Sequence, residues 1–217
     1  MSFSDYMTTL FMPALLQTVY MLFVPTILAT LIGFVIAVVL VITKSDGLKP
    51  NKSVYSVLGF VVNMVRSFPF IILLISIIPL TRLIVGTSIG ETAALVPITI
   101  GSAPFIARLI ESSLNEVDPG LIEAAKSFGA TKRQIIFKVM LKEATPSIIS
   151  GITLAIITIL GYTAMAGAVG AGGLGNVALM YGYQQFDKNV ILYTVVALIL
   201  IVQAIQWAGD LLYKKKK

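Results

Sequence analysis

Hydrophobic positions fill five stretches of this chain, near 18–43, 62–86, 92–113, 147–168 and 189–212, and most polar positions lie between them. A helix needs roughly 20 apolar residues to cross ~30 Å of hydrocarbon, and each stretch is long enough. The pattern therefore predicts an all-α integral membrane protein with five transmembrane helices. The first stretch is long enough to tilt or to extend beyond the bilayer. Residues 1–17 are expected to form a short interfacial helix, anchored by Phe3, Tyr6, Phe11 and Met12 and started or kinked by Pro13. The first twenty residues hold no Lys or Arg, so a cleavable signal peptide is not expected.

Within the spans, punctuation is sparse. Gly33 in the first could admit a close helix contact, although a lone glycine is more often simply tolerated. Residues 54–65 are apolar with breaks at Ser56 and Asn63, then meet Arg66-Ser67-Phe68-Pro69. Arg66 is expected to snorkel to interfacial water or headgroups, and Pro69 and Pro79 to bend the second span along a curved pathway. Pro97, Gly101 and Pro104 make the third span deformable. Arg108 and Glu111, three apart, are expected to pair at its interfacial end with little energy. The fourth span ends Gly161 to Gly167 and runs into the glycine-rich Ala168–Asn176. That string lacks the Lys-Ser/Thr of a phosphate loop and is expected to be a flexible outer loop or hinge. Tyr181, Tyr183 and Phe186 suit an aromatic belt, and Lys214 to Lys217 suit anionic headgroups.

The polar stretch from Asp118 to Pro146 is of another kind. Asp118-Pro119 reads as an N-cap followed by proline at the first helical position. Gly129 sits where a helix ends in a left-handed residue. Thr131 with Gln134 reads as a capping box that opens a second helix, with Ile135, Ile136, Val139 and Met140 on one face and Lys132, Arg133 and Lys138 elsewhere. The sum is helix, sharp turn, helix, with the small residues Ala124, Ala125 and Gly129 at the bend. Thr145-Pro146 is expected to start the next span.

Composition narrows the function. The chain is 57% hydrophobic and 12% charged, and a soluble domain carries about twice that charge. It has no Cys and no His, which removes thiol chemistry, the commonest metal ligand and the commonest general base. The spans hold almost no ionisable groups at their centres, which disfavours a proton- or sodium-coupled carrier. The net charge of +6 flanks apolar runs and is no nucleic-acid stripe. Lys44, Lys49 and Lys52, the five cations of 118–146 and the lysine tail lie on one side, against Arg82 and Lys188 on the other. The positive-inside rule then predicts an outside N-terminus and a cytoplasmic C-terminus. A non-transport scaffold that docks a cytosolic protein remains an alternative at this level.

Glu123-Ala124-Ala125, three residues, then Gly129 resembles the cytoplasmic coupling motif of binding-protein-dependent ABC importer permeases. That motif continues to an Ile-x-Leu-Pro, where this chain has Val139-Met140-Leu141-Lys142, with Lys142 in place of proline. Arg66-Ser67-Phe68-Pro69, Ser102 to Arg108 and the string after Ala168 together resemble the methionine-importer permeases over about 60–185. The resemblance implies the ABC importer permease (MetI-like) fold in a single membrane domain over 1–217, multi-pass in the cell membrane. It implies contact with an ATPase through Glu123, Ala124, Ala125, Gly129 and Ala130, and a pathway or gate near Met165, Pro69, Pro104 and Gly167, with Arg66 and Arg108 interfacial. It further implies no catalytic residues and no metal or cofactor of its own. The expected partners are a second copy, two ATP-binding cassette subunits that bind the ATP, an external substrate-binding lipoprotein and membrane lipid, with no nucleic acid. The expected cargo is D- or L-methionine; another amino acid or small solute is the alternative.

Overall fold

The computed structural model describes residues 6–216, and the secondary structure among them is helical. Four helices are long and apolar enough to cross a membrane: α1 (Met7–Thr43), α5 (Glu91–Asn115), α7 (Lys132–Ala171) and α9 (Lys188–Lys216). Between α1 and α5 the chain forms α2 (Lys52–Ser67), α3 (Phe70–Ser76) and α4 (Ile78–Val85). Helix α6 (Pro119–Ser127) precedes α7, and α8 (Gly173–Val177) with a π turn over Ala178–Tyr183 precedes α9.

The second span is not one helix over 62–86. Phe68 is extended ahead of Pro69, and the axes of α2 and α3 differ by 103°. Taken as one span, this bent pair is the fifth crossing. The cause is local, because the residue before a proline is pushed out of the helical region. A second, milder break at Ile77 precedes Pro79.

Residues 7–17 are not a separate interfacial helix either. They continue into the first span, with Pro13 in the opening turn of the α-helical part, where a missing N–H costs nothing. Tyr6 and Phe11 are buried against Leu174 and Val190, and of the expected anchors only Met12 is exposed among the described residues. Phe3 lies outside them.

The core is built where α1 crosses α5. Ala29, Gly33 and Ala37, each four apart, form one buried stripe on α1 facing Ala103 and Ala107 of α5. A Cβ on Gly33 would sit 2.8 Å from the carbonyl oxygen of Ala103, so this glycine sets the helix separation. Lipid chains are as apolar as leucine, so close backbone packing supplies the association energy.

The glycine-rich segment is a packed element, not a loose loop. Val169 and Gly170 break the helix, and Gly170, Gly172 and Gly173 take φ of +93°, +81° and +78°. The chain then folds back so that α8 lies buried between α1 and α7. The Gly173 N–H donates to Gln17 Oε1 and the Leu174 N–H to Thr18 Oγ1, both at 2.8 Å. Two orphan donors at a helix start are thereby satisfied from a strand of chain 156 residues away.

Candidate functional site

The helix–turn–helix between α5 and the membrane part of α7 forms as its sequence dictates. The Asp118 carboxylate accepts from the Gly120 N–H at 2.8 Å, and Pro119 opens α6. The Ala130 N–H donates to the Ala125 carbonyl and the Gly129 N–H to the Lys126 carbonyl, at 3.0 and 2.9 Å. This is a Schellman termination, and Gly129 holds its left-handed position at φ +75°. The next residue but one starts α7: Thr131 N–H donates to Gln134 Oε1 at 2.8 Å, and the Gln134 N–H donates back to Thr131 Oγ1.

Two faces follow. Ile135, Ile136 and Met140 are buried, and Ile122, Ala125 and Ala130 pack half-buried against the same core. Glu123, Ala124, Gly129, Lys132 and Arg133 face outward. Helix α6 contains no buried residue at all. The five expected coupling residues therefore divide: Glu123, Ala124 and Gly129 are presented, whereas Ala125 and Ala130 seat the bend on its own bundle. The sequence reading missed Phe128, which caps α6 at 91% exposure, flanked by the exposed Leu121 and Phe137. Its signal was a large apolar residue directly before the turn glycine. An aromatic side chain held out from a rigid bend, beside a bare glycine, suits insertion into a partner's groove.

Beside the bend, the turn at Lys44–Gly47 and α6 enclose a cavity of about 240 Å³. Lys44 pairs with Asp46 at 3.1 Å, and this hydrogen bond holds the Asp46 carboxyl below the usual carboxylate range.

Helix α7 runs from Lys132 through the span, with a π-helical stretch at Ile135–Met140, and is broken only near its far end at Val169 and Gly170. Pro146 is inside this helix and does not open a new one. The start signal assigned to Thr145-Pro146 is overruled because the tertiary packing of Met140 and Ala144 carries the helix through. Lys142 is exposed. Its neighbouring π turn already relaxes the ladder that a proline would interrupt. Lys142→Pro is expected to leave uptake within about twofold of the parent, against the ~3 kcal/mol that an interior proline costs a regular helix. Pro146→Lys, placed beside the carboxylates of Glu116 and Glu143 that line the same cavity, is expected to be tolerated too. Uptake and detergent-stable assembly of both variants check this.

The remaining expected residues are spread out. Met165 is 47% exposed on the same face of α7 as Leu154 and Gly161, and Pro69 is exposed at the bend. Pro104 is buried within the bundle, and a Cβ on Gly167 would meet the Asn176 nitrogen at 2.6 Å. Arg66 is exposed at the end of α2. Arg108 is half-buried, with 22% of its side chain exposed: it binds Glu111 at 2.6 Å, Asn63 Oδ1 at 3.0 Å and the Gly59 carbonyl at 3.3 Å, and the Glu111 side chain is 6% exposed. This network ties α2 to α5.

A helical bundle that presents such a bend between two spans matches one family over most of the chain. The family described as "Binding-protein-dependent transport system inner membrane component" matches residues 29–215. The chain belongs to that family. The permease is 50% identical over 206 residues to the probable D-methionine transport system permease protein MetI of Vibrio cholerae, covering 95% of this chain and 92% of that one. It is 50% identical over 173 residues to the methionine import system permease protein MetP of Bacillus subtilis, covering 80% and 78%. A chain of the MetNI methionine ABC transporter, in an inward-facing conformation, superposes with a TM-score of 0.96 at 44% identity over 100% of both chains. An amino acid ABC transporter solved with histidines shares the fold alone, with a TM-score of 0.80 at 20% identity. The multi-pass architecture and the importer fold expected from the sequence both stand. The bend expected at Pro69 is present, but the second span as a single helix over 62–86, the separate N-terminal helix and the flexible glycine loop do not stand.

Proposed function

We propose that this chain is the membrane subunit through which an ATP-driven importer passes methionine, D or L, and that it works as a homodimer seated on two ATP-binding cassette subunits. The observation that carries the reading is the end-to-end likeness, in sequence and in fold, to methionine permeases and to a chain of a methionine transporter. ATP is bound and hydrolysed by the partner subunit, and an external binding protein delivers the cargo.

The geometry supports a mechanism. Docking at Phe128, Gly129 and the first turn of α7 grips one end of a helix of 40 residues, whose rise is roughly 1.5 Å per residue. Displacing that end tilts the whole rod. Its far part carries the exposed Leu154, Gly161 and Met165 and is clamped to α8, where a Cβ on Gly175 would lie 2.5 Å from Ala164. Motion at the bend therefore reaches the exposed face of α7 without passing through a flexible joint. Two copies related by an axis along the membrane normal enclose a pathway between those faces.

Vesicles containing the permease, its ATPase and its binding protein are expected to accumulate methionine only with ATP inside the compartment that faces the ATPase. Equal accumulation without ATP, or preference for an unrelated solute, overturns the reading. The orientation is tested separately. The chain has no cysteine. Gln185→Cys is expected to react with an impermeant maleimide from outside intact cells, and Ser127→Cys only after the cells are opened; both positions are exposed. The reverse pattern inverts the topology.

A further inference from the structure

A cavity of about 140 Å³ lies where α2 turns into α3, lined by Arg66, Phe70, Tyr162, Phe105, Gly101 and Val65 among others. Three observations set it apart. Phe70 and Tyr162 stack face to face, with centroids 4.2 Å apart and planes 4° from parallel, so they form one rigid aromatic wall. Gly101 of α5 lets that wall pack close: a Cβ there would stand 3.2 Å from Leu73 Cδ2 and 3.4 Å from Phe70 Cδ2. Among the described residues, Arg66, at the same cavity, makes no ion pair or hydrogen bond. The other arginine of this layer, Arg108, is fully engaged by Glu111, Asn63 and Gly59. A guanidinium facing an aromatic cavity without a carboxylate partner is a receptor for one.

We propose that this cavity is a subsite for the transported amino acid inside the permease: Arg66 holds the α-carboxylate, and the side chain lies against the Phe70–Tyr162 wall. The inference rests on the import reading above. The volume suits it, since an apolar protein cavity of about 150 Å³ holds one benzene, which is close in size to an unbranched four-atom side chain. A thioether gains from the aromatic wall, because sulfur packs favourably against rings. Exposed Phe68 lines the cavity, and Tyr162 of its wall is the chain neighbour of Gly161 on the face of α7 assigned to the pathway.

The absence of native cysteine gives a local readout. Val65→Cys places a single thiol on the cavity wall, and its reaction with methyl methanethiosulfonate is followed by mass spectrometry in the assembled transporter without binding protein. Saturating methionine is expected to slow the reaction at least fivefold, and norleucine to do the same. Methioninol, which lacks the carboxylate, is expected to have no effect. Adding Arg66→Gln is expected to abolish the protection, and Arg66→Lys to restore part of it. Equal rates with and without methionine, protection that survives Arg66→Gln, or a thiol that never reacts would each overturn the subsite. Protection by phosphatidylglycerol but not by methionine would assign Arg66 to a lipid phosphate instead. ATP-dependent uptake by the unsubstituted transporter is measured in parallel: uptake without protection removes the subsite and leaves import standing.

Discussion

Gly129→Asp is expected to cut ATP-dependent uptake by more than tenfold while leaving the bundle folded. The residue holds φ +75° at the end of α6, and nothing lies within 4 Å of the Cβ it lacks. The fold therefore has space for a side chain, so the expected loss arises where the bend meets its proposed partner and not in the bundle. Aspartate tolerates the left-handed region better than most residues, so the backbone part of the cost is about 1 kcal/mol. The larger part comes from a carboxylate left without a counter-charge in a desolvated contact, worth roughly 3–5 kcal/mol. Gly129→Asn separates the two, since it keeps the shape and removes the charge. It is expected to retain most of the assembly. Pull-down of the ATPase and stimulated hydrolysis in detergent read both variants. Wild-type coupling in the Asp variant would mean that the bend does not touch the ATPase.

Glu111→Ala is expected to be the most destabilising single change among the polar positions of the bundle. Glu111 is 5% exposed, and its carboxylate is the counter-ion of Arg108 at 2.6 Å. Removing it leaves the guanidinium with only Asn63 Oδ1 and the Gly59 carbonyl, inside a helix contact. Breaking a fully buried pair from one side costs about 3–5 kcal/mol, and with 22% of the Arg108 side chain exposed the expected loss lies at the lower end. The double variant Arg108→Met, Glu111→Met removes both charges and is expected to recover most of the loss. Thermal midpoints in detergent for the two single variants and the double one test this. A Glu111→Ala protein as stable as the parent would show that the pair contributes nothing, as an exposed pair would.

Local sequence specified the bend between α6 and α7 almost to the atom. Asp118-Pro119, Gly129 and Thr131 with Gln134 each act over three or four residues, and the hydrogen bonds they imply are all present. The apolar runs located four of the five spans, although each helix extends beyond its run, and the second run broke into three helices. The mean orientation of each helix was less legible. A helix that is apolar all round has no polar face to show which side meets lipid and which meets protein.

Tertiary structure decided the rest. Gly33 read as a lone glycine because its partners, Ala103 and Ala107, lie some seventy positions away. The Ala168–Asn176 string read as a loose loop because glycine content reports conformational freedom, not the donors and acceptors that Gln17 and Thr18 bring from the other end of the chain. Arg108 with Glu111 read as a surface pair because sequence spacing gives the contact and not its burial. Pro146 read as a helix start, and packing around Ala144 overrode it. Sequence by itself determined the helices, their caps and the bend, because those rest on interactions between near neighbours. Only the folded chain determined which small residues touch, which charge is buried, and where Arg66 meets the Phe70–Tyr162 wall, because those depend on helices brought together across the bundle.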